Sequence, residues 1–168
     1  MIIKDETSVP EFLKVLKELT RTHIEIGIFG EDDSEILMVA HVNEFGCQIE
    51  VTDKMRNYLR AIGLPLKNET THINIPERSF IRSGYDQEKN KIIDKIGPLL
   101  EQVIQLQLPV DTFLETLGEY TVGLIQQYLT DIRGPKNHPF TVRQKGSSNP
   151  LIDTGRLRQS ITYKVVRG

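Results

Sequence analysis

At 168 residues, with 38 % apolar and 26 % charged side chains, the chain suits one soluble domain with its own core. It holds no run of about 18 apolar residues of the kind that crosses a membrane. One cysteine, Cys47, excludes an internal disulfide and stands at no metal-site spacing from another Cys or His; it reads as a small, at least half-buried side chain. The net charge of −2 conceals a polarity: residues 1–130 carry 13 Lys and Arg against 21 Asp and Glu, and residues 131–168 carry 8 against 2. An acidic body with a basic end can pair with copies of itself or meet phosphate. The opening residues, MIIKDETSVPEF, lack the apolar stretch of a signal peptide, so a cytosolic product is expected.

In chain order, Ser8 is a helix cap with Pro10 in the first turn, and Phe12, Val15, Leu16 and Leu19 follow at helical spacing. After Arg21 the period shortens to two, and Ile24, Ile26 and Ile28 predict a strand over His23 to Phe29. The acidic turn Glu31, Asp32, Asp33 reads as a helix entry. A helix follows through Ile36, Leu37, Val39 and Ala40 to a stop at Gly46. Gln48 to Val51 is a short strand candidate. Thr52 or Asp53 caps a helix with Met55, Tyr58, Leu59 and Ile62 in a stripe, ending at Gly63.

A brief strand, His72 to Ile75, closes at Pro76, after which Glu77 and Arg78 open a helical run through Phe80 and Ile81. A long helix is expected from Asp86 to about Gln107, kinked at Gly97 and Pro98, and a second from Val110 to Ile132. Residues 133–152 hold three prolines, two glycines and cations, and predict a long basic surface loop or arm. Asp153 or Thr154 then caps a turn anchored by Leu157, and Ile161, Tyr163 and Val165 alternate with Ser160, Thr162 and Lys164 in a closing strand. That strand is expected to pair with His23 to Phe29. The whole predicts a single α+β domain: a small antiparallel sheet packed against two long helices, with the basic loop before the C-terminal strand.

Chemistry is sparse. His41 and Glu44 stand three apart, as metal ligands sometimes do, yet no third ligand is in view. No phosphate-cradling glycine motif and no Ser/His/Asp or Cys/His spacing exists. Arg78 and Arg82 stand four apart, spaced to clamp a partner's carboxylates or to bracket a buried Phe80. The alternatives to a structural role are a small metal-dependent hydrolase or nuclease using His41 and Glu44, and a DNA-binding module using residues 133–158.

Three segments in register, VAHVNEFG (Val39 to Gly46), IPERSFIR (Ile75 to Arg82) and NPLIDTGRLRQSITYKV (Asn149 to Val165), resemble the tail-completion or neck proteins of tailed bacteriophages. These are also described as virion morphogenesis or minor tail proteins. The resemblance covers most of the chain. It implies a small α+β fold, a structural and non-catalytic role without cofactor or metal, and a ring, commonly of six, between capsid connector and tail. The implied partners are other copies, the head connector or head-closure protein, and the tail terminator or tail tube, with non-specific contact to packaged DNA and none to membrane. The implied location is the virion, after synthesis in the host cytoplasm.

A closed ring needs one patch meeting a different patch on the next copy. The interface residues expected on this reading are Glu44, Phe45, Arg78, Phe80, Arg82, Arg143, Lys145, Asp153, Arg156 and Arg158. Deleting Arg133 to Ser148 is expected to spare folding and abolish assembly.

Overall fold

The computed structural model describes residues 8–29 and 33–168. Helix α1 (Val9–Arg21) has Pro10 in its first turn, where a missing N–H costs nothing. Ser8 stands at the cap, but the side chain makes no capping bond and its backbone carbonyl accepts Phe12 N–H instead. The chain turns directly into β1 (Thr22–Gly27), whose β-branched residues suit extended backbone. Of the acidic turn, Glu31 and Asp32 lie outside the described residues. Asp33 caps α2 (Ser34–Phe45) by accepting the N–H of Ile36 at 3.1 Å.

α2 ends at Gly46, whose φ of 73° only glycine adopts freely. A Cβ there would also meet Glu77 N and Ile75 O, both at 3.0 Å. Next comes a small outlying unit. β2 (Cys47–Glu50) and β3 (His72–Ile75) pair antiparallel from Cys47↔Ile75 to Glu50↔His72. Between them α3 (Asp53–Ala61) is capped by Thr52, which accepts Met55 N–H at 3.2 Å. Arg56 ties the return turn to α3 by donating to the carbonyls of Lys67 and Thr70, each at 2.7 Å.

The stretch after Pro76 departs from expectation. Residues 77–81 are not helical, and α4 (Arg82–Ile104) begins only at Arg82. Pro98 lies inside α4, which is continuous across it. The helix ends at Ile104, just before Leu106, left-handed at φ 58°, and so earlier than the expected Gln107. α5 (Val110–Asp131) follows. The expected arm is more structured than a loop: it includes a cis Gly134–Pro135 bond and a short helix, α6 (Pro139–Lys145). The turn α7 (Arg156–Gln159) follows Gly155, which has no side chain to cap it; Thr154 Oγ1 accepts Arg156 N–H at 3.5 Å, and no such bond comes from Asp153.

β4 (Thr162–Arg167) pairs antiparallel with β1 from Thr22↔Arg167 to Gly27↔Thr162, as expected. Ile24 opposes Val165 and Ile26 opposes Tyr163, so the apolar residues of both strands share the face turned toward α5. The result is α+β, with the β1–β4 sheet packed on the long helices.

α5 runs through two apolar clusters. Phe113, Leu114 and Leu117 pack with Ile92 and Val103 of α4, with Val15 and Leu19 of α1 at the margin. Ile125 and Leu129 pack with Ile36 and Ala40 of α2, Phe80, Leu151, Leu157 and Ile161. Phe80 is fully buried, a placement that stabilises by about 1.5–3 kcal/mol. Between the clusters Gly118 admits the Tyr163 ring of β4, because a Cβ at that position would overlap the ring.

Candidate functional site

Glu44 lies in the last turn of α2 and is 5 % exposed. A carboxylate at the C-terminal end of its own helix is poorly placed for the helix dipole. Here it serves another helix. Oε2 accepts the backbone N–H groups of Phe80 at 2.8 Å and Ile81 at 3.0 Å. Oε1 accepts the Ser79 hydroxyl at 2.8 Å, Arg82 N–H at 3.0 Å and Arg82 Nε at 3.0 Å. The backbone donors, Phe80, Ile81 and Arg82, are N–H groups leading into α4, which its own N-cap, Ile81, has no side-chain oxygen to satisfy. Burial alone would raise the Glu44 pKa. The N–H groups of Ile81 and Arg82, the Ser79 hydroxyl and the Arg82 guanidinium outweigh it and hold the carboxyl below its ordinary value.

Arg82 completes the knot from outside. Its Nη2 donates to Glu44 O and to Glu77 Oε1, both at 2.8 Å, and its guanidinium lies 4.5 Å from the centre of the Phe45 ring. The His41 ring lies against Phe45 in a tilted arrangement, ring centres 4.8 Å apart. Phe45 itself stays 53 % exposed. The oxygens of Glu44 are engaged by five donors, two of them from Arg82, so a metal held by His41 and Glu44 would have to displace bonds that join α2 to α4.

Arg78 makes the second junction. Its N–H donates to Asn43 O at 2.7 Å, and its guanidinium donates to Pro135 O at 2.7 Å and to Asn137 Oδ1 at 2.9 Å. It is 6 % exposed, and burial lowers its pKa. Asn137 passes the connection on by donating to Pro150 O at 3.0 Å, and Lys145 donates to Asn149 O and Pro150 O. Asn149 anchors the far end of the arm, donating to Thr130 O at 2.8 Å and accepting Leu151 and Ile152 N–H in an Asx turn.

Finally, Arg156 of α7 reaches back to Asp33 at 2.7 Å and Glu35 at 3.4 Å. The Asp33 pKa is lowered chiefly by Ile36 N–H and then by Arg156.

The expected interface residues therefore divide. Glu44, Arg78 and Phe80 belong to the chain's own interior, so they cannot meet a partner as expected. Arg82 clamps carboxylates, but those of Glu44 and Glu77 in the same chain. Lys145 is half-buried on carbonyls, and Arg156 is exposed but ion-paired within the chain. Phe45, Arg143, Asp153 and Arg158 are exposed. The arm is pinned by Arg78, which revises the expectation that it could be removed without cost to folding.

Sequence reasoning missed the cap made by Glu44 and the role of Asn43, Asn137 and Asn149. Only the Asn149-Pro150 pair carried a readable turn signal. Compared with family models, curated proteins and solved structures, the chain finds no match. No helix among the described residues is long and apolar enough to cross a membrane.

Proposed function

We propose that this chain is a structural component of a tailed-phage or prophage virion, a tail-completion or neck protein joining head connector to tail by forming a ring. The observation that supports it is convergence. The three segments that carry the resemblance, 39–46, 75–82 and 149–165, lie far apart in sequence, and Glu44, Arg78 and Asn137 tie them together directly or through the arm. A shared motif set held as one rigid junction suits a part that must present a fixed surface to neighbours. Around it Phe45, Met38, Arg143 and Arg158 remain exposed for contact.

On this reading the chain is not an enzyme, uses no cofactor, and resides in the virion after synthesis in the bacterial cytoplasm. Its partners are further copies, the head-closure side and the tail tube. The nuclease reading would take Glu44 from the α4 cap. The DNA reading is weakened because Lys145 and Arg156 are engaged within the chain. The test is deletion of the coding sequence from an inducible phage: filled heads and finished tails should accumulate unjoined, and normal infectious particles would refute the proposal.

A further inference from the structure

Between the outlying β2–β3 unit and the arm lies an open cleft of about 690 Å³. One wall is apolar, formed by Leu64, Leu66, Ile73 and Ile75. The other carries Arg78, Lys136, His138 and Lys145, and among the described residues no Asp or Glu lines the cleft. Two of these cations are already withdrawn from water. Arg78 is nine-tenths buried, and its guanidinium donors end on neutral oxygens: Pro135 O, Asn137 Oδ1 and, at 3.4 Å, Asn43 Oδ1. Lys145 Nζ ends on the carbonyls of Asn149 and Pro150.

Among the described residues neither forms an ion pair. Burial disfavours the Lys145 charge, the Asp153 carboxylate opposes that, and Arg78 adds repulsion. Asp153 lies in the neighbouring cleft, which Lys145 also lines, so Lys145 is partly compensated from that side while Arg78 is not. For Arg78, a buried cation without an ion pair is costly, and an anion is the occupant that the charge of this cleft favours.

We propose that this cleft binds an extended acidic segment of a partner protein. Carboxylates would sit along Lys136 and Lys145, and intervening aliphatic side chains against Leu64, Leu66, Ile73 and Ile75. The mixed lining decides the class of occupant. A nucleic acid would satisfy the cations but leave the aliphatic wall unmatched, and among the described residues no Phe, Tyr or Trp lines the cleft to stack a base. β3 pairs with β2 alone among the described residues, so its other edge is open to an extended chain. The inference rests on the cleft and stands whether or not the virion reading holds.

The test uses the full chain and a fluorescein-labelled peptide of alternating Glu and Val, followed by fluorescence anisotropy at low salt. The peptide should bind, and its counterpart with Gln for Glu should bind about tenfold more weakly. Lys136→Glu, at an exposed site, should weaken the Glu peptide by a similar factor, and Leu66→Ala should weaken both peptides. Lys89→Glu, on the exposed side of α4, should change nothing, with circular dichroism showing every variant folded. Absence of Glu-peptide binding, equal binding of the Gln peptide, or an equal loss in Lys89→Glu would overturn the inference. Displacement of the peptide from the cleft by a duplex or single-stranded oligonucleotide that binds more tightly would overturn it in favour of nucleic acid.

Discussion

The carboxylate of Glu44 accepts the buried N–H of Phe80 at 2.8 Å, joining the end of one helix to the start of another across 36 residues of sequence. Removing it leaves the N–H groups of Phe80, Ile81 and Arg82 without their acceptor, while the exposed Arg82 guanidinium keeps Glu77. Glu44→Ala should therefore destabilise the fold by about 3–5 kcal/mol. Glu44→Gln keeps one carbonyl oxygen and should cost less. Urea unfolding followed by circular dichroism measures both, and an unchanged midpoint for Glu44→Ala would show that solvent replaces the cap freely.

The same residue sets an acid limit. Its folded pKa lies below the unfolded one, so its contribution is fully present above the unfolded pKa and is lost as pH falls through the folded value. Asp33 acts in the same direction. Stability of the native chain should fall on acidification more steeply than that of Glu44→Gln, and the two curves should converge in strong acid. Parallel curves would mean that other carboxylates govern acid unfolding.

Gly118 and Tyr163 form a tight helix-to-strand contact. Gly118→Ala gains helix propensity but must push the ring aside, for a net loss of about 1–3 kcal/mol. In a Tyr163→Ala background the same change should become neutral or favourable. Additive effects in this double-mutant cycle, read by thermal unfolding, would show that the ring moves away without cost.

The arm is part of the fold as well as a surface. Replacing residues 135–146 by a short Gly-Ser linker removes two acceptors from buried Arg78 and should cost about 2–4 kcal/mol. Arg143→Ala, at an exposed site of α6, should leave stability unchanged. A linker variant as stable as the native chain would show that Arg78 finds water in place of the arm.

What could be read directly from the residues was periodicity. The 3.6-residue stripes of α1, α2 and α5, the alternation in β1 and β4, and the α+β class all follow from which side chains must leave water, and they need no knowledge of neighbours. The β1–β4 pairing was legible too, because each strand has one apolar face and the two faces must be buried together.

Residues 77–81 show where that reasoning ends. Local propensity after Pro76 favours a helix, yet Asn43 O takes Arg78 N–H and Glu44 takes the N–H groups of Phe80, Ile81 and Arg82, so the helix begins at Arg82. Polar partners that distant in sequence leave no periodic trace. Arg78 and Glu44 have the composition of surface residues, and the fold alone assigned them to the interior, because each finds hydrogen-bond partners there to replace water. The arm's attachment was hidden for the same reason: its anchors are backbone carbonyls, which every residue carries.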